Sequence, residues 1–255
     1  MGLQKFKVLT FDVVGTLIDF ERGMIEHIRG IAPAEAARVG EDAILEAYKR
    51  SRADASAGWY PDDLVRVYGD MARELKLPAK AGAAEGFPES VKQWPAFADS
   101  AAALKRLRAR YRLVAMTNAR RWALAPMART LGEPFDDMVT VDDVRFEKPD
   151  PQFFAFARGR LSAAGYVLED ILHVAQSQYH DIGVARRLGY TVCWIERRKG
   201  LKGFGGTKEP AQLTKPDYHF ATLAELADAV EAEGSRKRRI VENANLWMPM
   251  RRAAL

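Results

Sequence analysis

Polar residues stand directly after several strand-like runs of this sequence, and the first of them could act as a nucleophile. Asp12 ends an apolar run and is followed by Gly15 and Thr16, so a sharp turn would point its carboxylate at solvent. A carboxylate in that position can attack a substrate and form a covalent ester. Taken alone, the same residues also fit an ordinary turn in which the aspartate bonds to the backbone.

Three further positions supply groups that could bind or neutralise an anion. Thr117 and Asn118 close a second run, where a hydroxyl and an amide could hold an anionic substrate or simply cap a helix. Lys148 precedes a proline-rich stretch, which favours a stiff loop that could place its charge near a nucleophilic carboxylate. Asp181 follows a later run, where helix capping is the simpler interpretation, and His180 beside it is either a base or a surface histidine.

Strand-like and helical patterns alternate over most of the chain. The apolar, β-rich runs are Lys7–Val14, Arg112–Thr117, Met138–Val141, Ile171–Ala175, Thr191–Ile195 and, as an edge strand, Tyr218–Phe220. The helical patterns between and after them are Asp99–Arg110, Arg121–Leu131, Gln152–Ala164, Tyr179–Leu188 and Leu223–Ala232. This alternation predicts an α/β fold with a mainly parallel sheet covered on both faces. Because ligands bind beyond the carboxyl ends of parallel strands, one cleft would gather all the polar motifs.

One stretch, residues 20–91, contains no strand-like run. Two long helical patterns, Pro33–Ala53 and Asp62–Leu75, are joined by Gly58–Pro61, and Gly82–Pro88 resembles a return linker. An insertion that leaves the sheet at this edge can cover the site as a lid. We therefore predict a catalytic core of residues 1–19 and 92–234, a helical cap of residues 20–91 and a basic C-terminal tail of residues 235–255.

Composition bounds the class of protein. The chain has 255 residues, of which 48% are hydrophobic, enough for one sizeable core and a smaller insert. No apolar run approaches the roughly 18 residues that span a bilayer, and the N-terminus has no signal-peptide pattern. The single cysteine, Cys193, lies in a strand-like run, so we expect a buried residue and no intrachain disulfide. These features predict a soluble, cytoplasmic protein without a membrane partner.

The formal charge of +5 is concentrated at one end of the chain. Residues 235–255 contain six basic residues and one acidic residue. Their net charge of +5 equals that of the whole chain, so the other residues together are close to neutral. A solvated basic end is the simpler interpretation of this segment, and a nucleic-acid partner is not expected.

The motifs, in this order, resemble those of the haloacid dehalogenase superfamily. That family has an Asp-x-x-Gly-Thr loop, a Ser/Thr-Asn turn, a Lys-Pro loop and an acidic final loop. The resemblance runs from about Lys7 to Val230 and includes the helical insert. It implies a Rossmann-like core with an α-helical cap of the four-helix type inserted after the first strand.

Two positions distinguish this chain from the phosphatases of that superfamily. Those enzymes usually carry a second aspartate two residues after the nucleophile, where this chain has Val14, and an acidic residue where it has Gln176. Valine cannot protonate a leaving group, and an amide weakens a magnesium site. The chain resembles instead the type II (S)-2-haloacid dehalogenases, although these have Asn at the place of Gln178 and Tyr at the place of Phe154.

The resemblance implies catalytic roles in the hydrolytic dehalogenation of short 2-haloalkanoic acids. Asp12 would attack the carbon that bears the halogen, with inversion, and water would hydrolyse the resulting ester. Lys148 would steady the charge of Asp12, Thr16 would orient it, and Asp181 could position the water. No metal or other cofactor is needed, because halide leaves unprotonated.

The resemblance also implies substrate-binding residues. Thr117 and Asn118 would hold the substrate carboxylate or the halide, and Ser177 matches a serine of the family's final motif. A cap arginine, for which Arg50 and Arg52 are both candidates, would receive the halide. An apolar pocket for the alkyl group would be formed by Trp59, Phe87 and Trp94.

Three alternatives stay open on the sequence. A magnesium-dependent small-molecule phosphatase would place the metal at Asp12 and Asp181, against the indications of Val14 and Gln176. A phosphonate-cleaving relative would need a cap lysine, for which Lys49 is the candidate. A non-catalytic binding protein could keep the same fold. The expected partner is a small-molecule substrate, and a homodimer is expected only because related dehalogenases are often dimers.

Overall fold

The computed structural model describes residues 2–78 and 81–246, and within them six strands form one sheet. The strands are β1 (Val8–Phe11), β2 (Arg112–Thr117), β3 (Asp137–Thr140), β4 (Ile171–Ala175), β5 (Thr191–Ile195) and β6 (Tyr218–Phe220). Every pairing between them is parallel, and the spatial order is β3-β2-β1-β4-β5-β6. Each predicted run overlaps one of these strands, so the predicted α/β fold with a parallel sheet is confirmed.

β1 lies in the middle of the sheet, between β2 and β4, and all four of its residues are buried. A strand covered on both faces needs no polar side, which explains why this run does not alternate between apolar and polar residues. The Asp12 N–H still donates to the Val174 oxygen, at 3.1 Å. The chain then forms a turn in which the Leu17 and Ile18 N–H groups both donate to the Val13 oxygen. Asp12 therefore emerges at the centre of the carboxyl edge of the sheet.

Five helices lie in the described part of the chain between residues 20 and 90. They are α1 (Phe20–Ile31), α2 (Pro33–Val39), α3 (Glu41–Arg52), α4 (Leu64–Leu75) and α5 (Ala83–Ser90). The prediction of one helix over Pro33–Ala53 is wrong, because Gly40 adopts a φ of +83° and separates α2 from α3. The predicted linker Gly82–Pro88 is also wrong, because most of it belongs to α5. The assignment of residues 20–91 to a separate cap stays a prediction.

α1 was not predicted as a helix, although its buried residues have helical spacing. Phe20, Met24 and Ile28 all lie on its buried face. Asp19 caps its first turn, where a side-chain oxygen accepts the Arg22 N–H at 3.1 Å. Charged residues interspersed along the segment obscure this apolar stripe in the sequence.

The remaining helices cover the two faces of the sheet. They are α6 (Ser100–Arg108), α7 (Arg121–Thr130), α8 (Val141–Val144), α9 (Pro151–Ala163), α10 (Gly183–Arg187) and α11 (Leu223–Leu246), with one π-helical turn at Gln178–Ile182. On one face, Phe153 and Phe154 of α9 pack with Val114 and Met116 of β2 in a fully buried layer. A second buried layer joins the other face to α6, α11 and the inserted helices.

α11 is longer than the predicted helix Leu223–Ala232. It continues past residue 234 to Leu246, so the predicted tail, residues 235–255, begins inside a helix. Residues 247–255 lie outside the described residues. None of the helices that the structure describes combines the length and apolar character that crossing a membrane requires.

Cys193 lies on β5 and is fully buried, as the sequence predicted. Burial raises the pKa of its thiol, which keeps the thiol protonated and unreactive at neutral pH.

Candidate active site

A buried ammonium group joins the two aspartates of the predicted site. Lys148 Nζ lies 3.0 Å from Asp12 Oδ1 and 2.6 Å from Asp181 Oδ1. It also donates to the Met116 oxygen at 2.7 Å, so all three of its protons have acceptors. The three charged residues come from loops after β1, β3 and β4, which the parallel sheet brings to one edge.

Thr16 fixes the orientation of the Asp12 carboxylate. Its hydroxyl donates to Asp12 Oδ2 at 2.6 Å and accepts the Gln176 N–H at 2.8 Å. Gly15 permits this arrangement because its φ of +92° is in the left-handed region, and its N–H donates to the Ile18 oxygen at 2.8 Å. The loop after β1 is thereby tied to the loop after β4, and each oxygen of Asp12 has one donor.

The charges of this network shift the pKa values of its members in different directions. Burial, together with the negative charge of Asp181, raises the pKa of Asp12 against the opposing effect of Lys148. Burial also disfavours ionised Asp181, but Lys148 and His173 outweigh it and lower the pKa of Asp181 to about 2. Burial likewise opposes protonation of Lys148, and the two carboxylates outweigh it and raise the pKa of that ammonium. Asp181 and Lys148 are therefore both charged at neutral pH.

His173 is a site residue that the sequence analysis did not identify. It is fully buried on β4, with Nε2 3.1 Å from Asp181 Oδ1 and Nδ1 2.9 Å from Thr10 Oγ1. Phe154 packs edge-on against its ring, with centroids 5.4 Å apart. A lone histidine in the otherwise apolar run of β4 is the signal that could have found it. The second oxygen of Asp181 is buried and has no hydrogen-bond partner among the described residues.

Asn118 holds the backbone of Lys148 rather than presenting a free amide. Its Oδ1 accepts the Lys148 N–H at 2.7 Å, and its Nδ2 donates to the Lys148 oxygen at 2.9 Å. The hydroxyl oxygen of Thr117 accepts the Ala119 N–H at 3.2 Å, so its own proton is available to a ligand. Both residues line a cavity beside Asp12.

A cavity of about 330 Å³ opens beside Asp12, between the sheet edge and the inserted helices. The predicted site residues in its wall are Asp12, Arg52, Thr117, Asn118, Lys148, Ser177 and Asp181. Val14 and Gln176, at the positions that would be acidic in phosphatases, also line it, as does Lys49. Its aromatic wall is formed by Phe20, Tyr48, Tyr60 and Tyr179.

Arg50 and Trp59 lie elsewhere, contrary to their predicted roles. Arg50 is exposed and pairs with Glu74 and Glu46. Trp59 packs against two guanidinium groups, with that of Arg145 5.2 Å from the ring centre.

The two other aromatic residues expected in the pocket belong to the core instead. Phe87 stacks on His27, with ring centroids 5.5 Å apart, and Trp94 is buried and donates to Ser90 Oγ at 3.1 Å. Neither residue reaches the cavity.

Arg52, at the end of α3, is the arginine that reaches the cavity. It pairs with Asp63 at 2.6 Å and approaches Glu147 at 3.5 Å. The other carboxylate oxygen of Glu147 accepts the Tyr60 N–H at 2.9 Å. Glu147, the residue before Lys148, thus connects the core to the inserted segment.

His180 lies in the cavity wall in a neutral form. The Ser177 hydroxyl accepts the His180 N–H at 2.9 Å and lies 3.0 Å from its Nδ1. Burial, together with the nearby cations, lowers the pKa of His180 to about 4 despite the opposing effect of Asp181. The ring is therefore neutral at pH 7 and a weaker base than an exposed histidine.

The donor set offers little to a magnesium ion. Among the described residues, no group of three or more His, Cys, Asp or Glu side chains has the arrangement of a metal site. Asp12 and Asp181 both bind the Lys148 ammonium, while the wall positions nearby carry the methyl groups of Val14 and the amide of Gln176. Magnesium prefers oxygen ligands and is commonly held by one or two carboxylates together with water and substrate oxygens, so only the free oxygen of Asp181 favours it.

The loop that follows β5 also belongs to the site and was not predicted from the sequence. Its residues Gly206, Thr207 and Lys208 line the cavity. The Gly206 N–H donates to Glu21 on α1 at 2.9 Å, and the Thr207 hydroxyl donates to Gln176 Oε1 at 3.4 Å.

Comparison with known proteins identifies similar chains. A family model described as haloacid dehalogenase-like hydrolase matches residues 6–189. The (S)-2-haloacid dehalogenase of Pseudomonas fluorescens is 33% identical over 107 residues, which are 41% of this chain and 45% of that protein. The chain therefore spans less than half the length of that relative. The (S)-2-haloacid dehalogenase 4A of Burkholderia cepacia is 22% identical over 235 residues, covering 87% and 90% of the two chains.

The fold is shared with solved structures. That of the L-2-haloacid dehalogenase from Xanthobacter autotrophicus superposes with a TM-score of 0.71 at 18% identity and covers 89% of this chain and 99% of that one.

Proposed function

The chain belongs to the haloacid dehalogenase-like hydrolase family, and on this premise we propose that it hydrolyses the carbon–halogen bond of short 2-haloalkanoic acids. One observation carries the proposal. An oriented carboxylate, Asp12, faces the cavity with its counter-ion Lys148, and the position two residues later is apolar Val14. This set supplies a nucleophile without an acid for the leaving group, which suits a leaving group that departs as an anion.

In the first step, Asp12 attacks the carbon that bears the halogen. A carbon–oxygen bond forms as the carbon–halogen bond breaks, and its electron pair leaves with the halide. The product is an ester between Asp12 and the 2-carbon of the acid. Thr16 and Lys148 hold the carboxylate in one orientation throughout, which lowers the entropic cost of the attack.

In the second step, water attacks the carbonyl carbon of this ester. Breaking the acyl bond releases a 2-hydroxy acid and regenerates Asp12. We assign Asp181 to positioning the water, because its buried second oxygen has no partner among the described residues. The pKa of Asp181 is about 2 and that of His180 is about 4, so His180 is the stronger proton acceptor of the two and is assigned the proton of the water.

Substrate binding in this proposal uses polar and aromatic groups of the cavity wall. The Thr117 hydroxyl has a proton to donate to the substrate carboxylate, whereas both polar atoms of the Asn118 amide are engaged. We assign the departing halide to Arg52 rather than Arg50, because Arg52 lines the cavity and Arg50 does not. The alkyl group would contact Tyr48 and Tyr60.

A magnesium-dependent phosphatase is the second candidate, favoured by the unpartnered oxygen of Asp181. Asp12 and Asp181 would hold the metal, which would stabilise charge on a phosphoryl oxygen. Val14 opposes this candidate, because an alkoxide leaving group needs a proton that valine cannot supply.

The test compares the two reactions in metal-stripped protein. Halide release from (S)-2-chloropropionate is measured with EDTA present, and phosphate release from p-nitrophenyl phosphate is measured with added magnesium. We expect halide release without metal, and its loss in Asp12→Asn. The matched control is Asp42→Asn, which makes the same change at an exposed position of α3.

A single turnover in oxygen-18 water tests the ester directly. Attack of water on the carbonyl carbon leaves one labelled oxygen in the peptide that contains Asp12, which mass spectrometry detects. Label found only in the hydroxy acid would refute the covalent route. Phosphate release with magnesium and no halide release would refute the dehalogenase proposal as a whole.

A further inference from the structure

Four cationic side chains line the cavity, and they differ in how their charge is compensated. Three of them have carboxylate partners: Lys148 has Asp12 and Asp181, Arg52 has Asp63 and Glu147, and Lys49 has Glu46 at 2.6 Å and Glu209 at 3.5 Å. The fourth, Lys208, has no carboxylate within ion-pair distance in the part of the chain that the structure describes. Among these four cations, Lys208 is therefore the one whose charge no carboxylate of the described residues compensates.

Lys208 is held in place rather than extended into solvent. Its Nζ lies 3.1 Å from the Tyr179 hydroxyl and 4.5 Å from the centre of that ring. Tyr179 also lines the cavity and lies two residues before Asp181. A cation held over an aromatic ring keeps its charge while losing some of its conformational freedom.

The backbone that carries Lys208 is anchored on both sides of the cavity. Gly206 is bonded to Glu21 of α1, and a Cβ at Gly206 would lie 2.9 Å from the Phe20 ring. Thr207 is buried against Gln176 of the core. These contacts fix the position of the Lys208 backbone relative to the cavity.

The cavity is larger than a three-carbon haloacid needs. Its volume of about 330 Å³ corresponds to roughly eleven water molecules at about 30 Å³ each, whereas 2-chloropropionate has six heavy atoms. Space therefore remains for a longer chain.

We infer that Lys208 binds a second carboxylate, so that the preferred substrates are 2-halo dicarboxylic acids. This inference rests on the proposed function and narrows its substrate class. The reacting end lies at Asp12 and Lys148, and the far carboxylate is bound by the ammonium of Lys208. The loop lies beyond residues 6–189, the part that the family model matches, so it is a feature of this chain outside that shared segment.

The experiment uses two substrates of equal length, (S)-2-chloroglutarate and (S)-2-chloropentanoate, which differ in the charge at the far end. We expect kcat/KM to favour chloroglutarate at least tenfold, and Lys208→Met to reduce this preference by about tenfold, the usual effect of a charge-assisted contact. Lys208→Arg should retain it. Because the far contact is partly exposed, the preference should also fall as salt is added.

Lys202→Met is the matched control, since Lys202 is an exposed lysine of the same loop and does not line the cavity. Calorimetry with glutarate and pentanoate, which lack halogen, separates this inference from the proposed function. Lys208→Met should weaken glutarate binding, whereas the Lys202→Met protein should bind glutarate as wild type does. Both results are expected even if no halide is released from any compound. A preference that Lys208→Met does not change, or that Lys202→Met reduces equally, would overturn the inference.

Discussion

Replacing Lys148 with methionine would leave two carboxylates facing each other in a site almost closed to water. Only 1% of the Lys148 side chain, 1% of that of Asp181 and 9% of that of Asp12 are exposed. Methionine approximates the length and volume of the lysine chain, so the change removes the charge and leaves most of the packing. We expect the folded state of Lys148→Met to be destabilised in a pH-dependent way.

The size of the effect follows from the geometry. At an effective dielectric constant of about 20, charges at these separations attract by about 5–6 kcal/mol per pair, most of which offsets the cost of burial. Breaking a buried pair by removing one partner typically costs about 3–5 kcal/mol, because the remaining charge is uncompensated. We therefore expect the free energy of unfolding to fall by about 3–5 kcal/mol at pH 8.

The pH dependence distinguishes this effect from an ordinary loss of packing, whose cost does not depend on pH. Without Lys148, burial and mutual repulsion raise the carboxylate pKa values in the folded state above their unfolded values near 4. The cost is then largest at pH values above the raised pKa and disappears as both states become protonated. The deficit of Lys148→Met relative to wild type should accordingly shrink between pH 8 and pH 4.

Urea unfolding at pH 8, 6 and 4 measures this difference. The double variant Lys148→Met/Asp181→Asn removes one of the two opposed carboxylates and should recover part of the stability at pH 8, which a double-mutant cycle quantifies. A deficit below about 1 kcal/mol, or one that is the same at all three pH values, would refute the electrostatic account.

Three further predictions concern single positions. Thr16→Val removes two buried hydrogen bonds and should lower the free energy of unfolding by about 1–3 kcal/mol together with kcat, whereas Thr16→Ser should keep both, as urea unfolding and steady-state assays would show. Because the pKa of His180 is lowered to about 4, protonation favours the unfolded state, and wild type should lose about 3 kcal/mol between pH 6.5 and pH 4 that His180→Gln does not lose; equal pH profiles in urea would contradict this. Gly23→Ala would place a Cβ 2.4 Å from the buried ring of Trp94 and should lower Tm, whereas Gly30→Ala on the same helix meets open space and should raise Tm slightly; equal shifts in calorimetry would exclude the clash.

The residues nearest the proposed chemistry could be predicted because their positions depend on strand ends. Asp12 and Asp181 follow strand-like runs, and a parallel sheet brings such residues together whatever the rest of the chain does. The choice between Arg50 and Arg52 could not be made in this way. Residues two apart lie on opposite sides of a helix, and the sequence does not say which side of α3 faces the core.

Two other site residues were missed for different physical reasons. His173 is hidden in an apolar run, where only its buried partners distinguish it from a packing residue. Lys208 lies in an irregular segment between β5 and β6, which has no periodicity, so its approach to the cavity depends on the contact of Gly206 with Glu21. Long-range contacts of this kind arise from tertiary packing and leave no local pattern.

Glu147 and Lys148 are adjacent in the chain but have partners on different sides of the cavity. Glu147 is bonded to the Tyr60 N–H and approaches Arg52, whereas Lys148 is bonded to Asp12. An outward movement of the inserted helices would break the Glu147 contacts, whereas the two hydrogen bonds of Asn118 would still hold the backbone of Lys148. The pairing of the nucleophile with Lys148 is therefore independent of the contacts that join Glu147 to the inserted segment, although the two residues share one peptide unit.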